Sequence, residues 1–164
     1  MSPYRHRQVG WKLVAGVTVG LVLAAWFVAR LSPATREAAP LLVYGLFGVL
    51  VVALVTFGTL TVTVDDREIR VVFGIGLVRK TIDVADVVKC EIVGVRAFWG
   101  WGLHWTPGGW LYNVGGRDAV RLVLARDKPV IVGTDDAPGL AAAIGERIPG
   151  ERIPARPGAT TLRA

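Results

Sequence analysis

The chain has 164 residues, 52% of them hydrophobic, with a mean hydropathy of +0.48 and a formal net charge of +6. Such apolarity excludes a disordered polyelectrolyte and is high for a wholly water-soluble protein. The positive excess does not build a nucleic-acid face: from Asp65 to Arg147 eleven Lys+Arg balance eleven Asp+Glu, and the surplus sits near the two ends.

Residues 1–10 read as a polar, basic N-terminal tail carrying Arg5 and Arg7. Leu13 to Ala29 is a run of seventeen uncharged residues, flanked by Trp11, Lys12 and Arg30. A bilayer core of about 30 Å takes roughly 20 apolar residues in a helix. Interfacial Trp and snorkelling basic side chains make up the difference, so residues 11–30 are expected to span a membrane. The run exceeds a signal-peptide core and no small-x-small site follows it promptly, which argues for retention rather than cleavage. Gly16, Gly20 and Ala24 recur every fourth residue, a small-residue face that lets helices approach closely.

Pro33 and Pro40 bracket a short connection, residues 31–40, read as an extracytoplasmic loop. A second span is expected over 41–60, where Gly45 and Gly48 would receive the small face of the first helix. Homo-oligomer formation through the same face is the alternative. Neither span holds an ionisable residue that would mark a transport path. Basic residues gather before the first span and after the second. Both termini and the following domain are therefore expected in the cytoplasm, with the lipid bilayer of the cell membrane as first partner.

From Thr59 the periodicity changes to alternation: TLTVTV, a turn at Asp65-Asp66, then EIRVVFG. Gly74-Ile75-Gly76 reads as a turn, followed by strands at LVRKTIDV, VVKCEIVGV (87–95), WLYNV (110–114), AVRLVLA (119–125) and PVIVGT (129–134). Asp135 or Asp136 caps a closing helix with Pro138 in its first turn and Leu140, Ala143, Ile144 and Ile148 on its inner face. The domain covers 61–149, and residues 150–164, polar and rich in Pro and Gly, read as a disordered tail.

Seven strands and one C-terminal helix follow the pleckstrin-homology plan. The segments Gly100–Gly116, AVRLVLARDKPVIVGTDD and LAAAI resemble those of bacterial membrane-anchored proteins with a PH-like domain. The resemblance implies a two-helix transmembrane hairpin followed by a PH-like barrel of about seven strands, closed by one helix. It implies fold rather than activity. Phosphoinositide binding is not expected: the first hairpin turn, Val64 to Glu68, holds three acids and one base, which repel a phosphorylated headgroup.

The densest unusual feature runs from Phe98 to Tyr112. Trp99, Trp101, Trp105, Trp110 and Tyr112, with His104 among them, form either a barrel plug, a lip resting in the membrane interface, or a protein-binding hot spot. No catalytic, metal or cofactor residues are expected. Serines occur only at 2 and 32, and Cys90 with His104 is the sole thiol–imidazole pairing with the domain histidine. The expected function is a membrane-anchored, non-enzymatic module for protein binding or membrane-complex assembly, with another membrane or cytoplasmic protein as partner. An accessory subunit of a membrane enzyme or transporter and a peripheral lipid-surface sensor are the alternatives.

Overall fold

The computed structural model describes residues 3–32, 40–95, 102–148 and 160–161. The chain opens with strand β1 (Tyr4–Val9), followed by helices α1 (Trp11–Arg30) and α2 (Pro40–Phe57). Strands β2 (Thr59–Val64), β3 (Glu68–Phe73) and β4 (Val78–Asp83) complete a four-stranded antiparallel sheet in the order β1-β2-β3-β4. A single 3-10 turn, Val84–Asp86, leads into the second sheet.

That sheet contains β5 (Val87–Gly94), β6 (Gly102–Thr106), β7 (Gly109–Asn113), β8 (Asp118–Leu124), β9 (Val130–Thr134) and the two-residue β10 (Thr160–Thr161). Its order is β10-β5-β8-β9-β7-β6, with β7 parallel to β9 and β10 parallel to β5. Helix α3 (Ala137–Gly145) packs on β5 and β8.

Alternation builds the core. Leu60, Val62 and Val64 of β2 point inward with Ile69, Val71 and Phe73 of β3, and the threonines of β2 point out. Against them stand Cys90, Tyr112, Val114, Val120, Leu122, Val130 and Val132 of the second sheet and Leu140, Ala141 and Ile144 of α3. Phe73 stacks on Tyr112 with ring centroids 6.0 Å apart. Asp136 is the N-cap of α3, its carboxylate accepting from the Gly139 N–H at 3.0 Å.

The architecture corrects the expected fold on three points. There is no single closed barrel: the strands divide into two sheets with the core between them. Residues 4–9, expected as a tail, form β1. Its polar residues hid it, because Arg5 and Arg7 face out while Tyr4, His6 and Gln8 face the second sheet. The expected two-helix transmembrane hairpin also fails. Only α1 has the length and apolarity of a span among the described residues, the apolar part of α2 being Val43–Phe57. The second run looked longer because uncharged Thr59 and apolar Leu60, which extend it by composition, belong to β2.

The helices are inserted between neighbouring strands. Val9 pairs with Thr59, and the Gly10 N–H donates to the Gly58 carbonyl at 2.9 Å, so α1 leaves the sheet where α2 rejoins it. Half-buried positions on α1 are Leu13, Val14, Leu21, Ala24 and Val28, with Val17 buried. They recur at three- and four-residue steps, and α1 contacts α2. Gly16, Gly20, Gly45 and Gly48 lie off this seam, since a Cβ at any of them meets nothing within 4 Å. Of the expected small-residue face, Ala24 alone is half-buried. Branched side chains at the seam, rather than glycines, set the helix contact.

Polar side chains of β1 stitch the sheets together. Gln8, almost fully buried, donates to the Gly133 carbonyl at 2.6 Å and accepts from the Asp135 N–H at 3.1 Å. The Tyr4 hydroxyl donates to Asp136 at 3.0 Å, and His6 Nε2 lies 2.5 Å from Asp135 Oδ1. Gln8→Ala strands a carbonyl and an N–H at this seam, and is expected to cost about 1–3 kcal/mol in thermal or denaturant unfolding. An unchanged midpoint would show that the seam carries no stability.

Burial, and then the hydrogen bond to Asp136, push the Tyr4 phenol well above its ordinary value of 10.0. A raised folded-state value means the contribution is complete below the unfolded value and disappears as pH rises through the folded one. Melting temperature is expected to fall on raising the pH above 10.0, and Tyr4→Phe to reduce that fall. A variant whose alkaline profile overlays that of the parent would contradict this assignment.

Candidate functional site

From Gly102 onward the aromatic segment forms the β6–β7 hairpin. Trp105 lies opposite Trp110 and Leu103 opposite Tyr112, so these four share one face; His104 opposite Leu111 occupies the other. The shared face is the inner face of the second sheet. Tyr112 lies in the core at 7% exposure, whereas Trp105 and Trp110 retain 58% and 40%. Leu103 is exposed as well. The inner face thus continues past the cover provided by Phe73 and Phe57 and ends in an uncovered strip.

Trp99 and Trp101 lie outside the described residues. The remaining four candidates divide by chemistry. Tyr112 is a core ring, and its burial pushes the phenol up. His104 is half-buried, and its Nε2 finds no hydrogen-bond partner among the described residues. Only Trp105 and Trp110 form a surface, joined by Leu103, which composition alone does not single out. Trp99 remains undescribed with Trp101.

Backbone chemistry favours the same place. β6 is an edge strand, paired only with β7 among the described residues, so one row of its N–H and C=O groups is open. Glycine shapes the hairpin: Gly109 has φ +125, and a Cβ there would collide with the Pro129 carbonyl. The strip lies away from the helices. A Cβ at Gly102 comes within 4 Å of Phe57 at the end of α2, and Trp105 follows roughly 10 Å further along the strand.

Other features carry less chemistry. A cleft of ≈ 90 Å³ is lined by Lys80, Asp83, Asp86, Leu124 and Asp127, among others. Ligand pockets usually hold about 300–1,000 Å³. Lys80 Nζ lies 3.1 Å from Asp127 Oδ2 across it. The Lys128 N–H, and next Lys80, hold the Asp127 carboxyl below its ordinary value. Among the described residues no group of three His, Cys, Asp or Glu is placed to hold a metal ion. Cys90 is buried in the main core on β5, whereas His104 is on β6 and on the opposite sheet face. Four strand spacings of about 4.8 Å lie between them, so they do not form a nucleophile–base pair.

No protein-family model, curated protein or solved structure matches this chain. The resemblance to PH-like proteins therefore rests on the sequence pattern alone.

Truncation separates core from surface. Tyr112→Ala is expected to destabilise by roughly 3 kcal/mol or more, while Trp105→Ala with Trp110→Ala removes a cross-strand pair worth about 1 kcal/mol. Chemical denaturation of the two variants checks this, and equal losses would mean that the tryptophans are packed as tightly as Tyr112.

Proposed function

We propose that the chain is a non-catalytic, membrane-held module that binds another protein along the β6 edge. Two groups of exposed apolar side chains support the two halves of this reading. The first comprises Val19, Val22, Leu23, Trp26 and Phe27 of α1 with Leu41, Tyr44, Leu46, Phe47, Val49 and Val52 of α2. Soluble monomers rarely expose apolar patches above a few hundred Å², so this surface calls for an apolar cover, and α1 has the length to take it from lipid. Trp11 and Lys12 at one end of α1, and Trp26 with Arg30 stacked on it at 4.9 Å at the other, suit two membrane interfaces.

The observation that carries the binding half is the Trp105–Trp110 pair on an open sheet edge. An extended segment of a partner adds as a further strand, its backbone meeting the free row of β6 and its apolar side chains meeting the indoles. The shortage of space in the Lys80–Asp127 cleft and the separation of Cys90 from His104 favour binding over turnover. The basic residues beside the apolar runs favour a cytoplasmic side for the sheets.

Site-specific photocrosslinking in native membranes tests the proposal. A crosslinking residue at position 105 or 110 is expected to give the same discrete protein adduct, and one at exposed Arg126 in the β8–β9 turn none. Equal labelling from all three positions, or no adduct from 105 and 110, would overturn it.

A further inference from the structure

The turn between β3 and β4 has a composition that turn geometry does not require. Phe73 pairs with Val78 across Gly74-Ile75-Gly76-Leu77, and the Gly76 N–H donates to the Phe73 carbonyl at 2.7 Å. Gly74 at φ +46 and Gly76 at φ +93 supply the left-handed conformations. Turn positions beside such glycines ordinarily take polar residues. Here Ile75 and Leu77 stand in them at 70% and 69% exposure.

Their position gives a reason. The Gly74 N–H donates to the Thr59 carbonyl at 2.9 Å, directly after the end of α2. A Cβ at Gly74 would collide with the carbonyl oxygens of Val55 and Thr56, so the turn is tucked against the last turn of that helix. The turn therefore lies at the level of Val55, itself exposed, with Val52 one helical turn of about 5.4 Å further along α2, and Ile75 is exposed next to Gly74 in the chain. Beyond Leu77 and Val78 comes Arg79, an exposed cation close to the apolar tip in the chain.

We propose that the Gly74–Leu77 turn is a second lipid-contact element, with Ile75 and Leu77 inserted at the headgroup–acyl boundary of the bilayer that α1 enters. The inference rests on the membrane-held reading above. Continuity with the helix surface selects lipid as the occupant, because whatever covers Val52 and Val55 also meets the turn. At the lower end of the first sheet, β1 and β2 join the helices while β3 and β4 meet the membrane through this turn. The two attachments lie on different strand pairs and restrain the tilt of the sheets.

The test uses the full chain reconstituted in phosphatidylcholine–phosphatidylglycerol vesicles, with an environment-sensitive fluorophore on Ile75→Cys. Leu77→Cys serves as a second variant and Arg67→Cys, in the turn at the opposite end of β3, as the reference. Cys90 is buried at 0% exposure, and the unsubstituted chain gives its labelling background. Lipids carrying a nitroxide high on the acyl chain are expected to quench the labels at 75 and 77 about twofold or more, as for side chains lying ~5–10 Å deep, and to leave that at 67 unchanged. Equal quenching at all three sites in chains that float with the vesicles would overturn the lipid contact while leaving anchorage intact. Chains that do not float would remove both.

Discussion

A chain segment that leaves a β-sheet and returns to the adjacent strand must re-enter beside its point of departure. Here the pairing of Val9 with Thr59 and the 2.9 Å hydrogen bond from Gly10 to Gly58 impose that condition on α1 and α2. Both glycines are confined: a Cβ at Gly10 would press on the Val114 carbonyl, and one at Gly58 on that of Leu54. No flexible linker separates helix from strand at either crossing. The orientation of the apolar helices is therefore coupled to the sheets, and the N-terminal strand lies on the same side as the rest of the β domain.

This coupling extends through polar contacts. Gln8, Tyr4 and His6 reach the β9–α3 connection, so the strand that begins the first helix also clasps the second sheet. Asp136 takes part twice, accepting from Tyr4 and capping α3. Removing water from such groups is favourable only when their partners are in place. Displacement of β1 would at once uncover the core, leave polar groups unmatched and free the root of α1. The Trp105–Trp110 strip lies at the β6 edge of the second sheet, two strands from β9, where Gln8 is held.

The apolar alternation of β2 and β3, the Asp136 cap and the inner face of α3 were legible because each combines a period with a hydrophobic outcome. β1 was not, since half its residues are satisfied by hydrogen bonds that no hydropathy pattern records. The extent of α2 was misread for a related reason: Gly58-Thr59-Leu60 is apolar enough to prolong a helix by composition, yet the backbone turns there. Glycine spacing described a face but not its partner, and the branched residues of the seam decided the contact. In the aromatic segment the sequence grouped residues of opposite fate. The ladder register, which depends on the hairpin at Gly109, sends Tyr112 into the core and leaves Trp105 at the rim. By sequence Ile75 reads as an ordinary turn residue and Leu77 as the start of a strand; the closeness of Gly74 to α2 gives their exposure its setting.

Lipid as the solvent for α1 is the central claim, and alkaline carbonate washing of native membranes tests it most directly. The account predicts that the full-length chain stays in the pellet and is released only by detergent. Its quantitative recovery in the carbonate supernatant, as a folded monomer, would contradict the account.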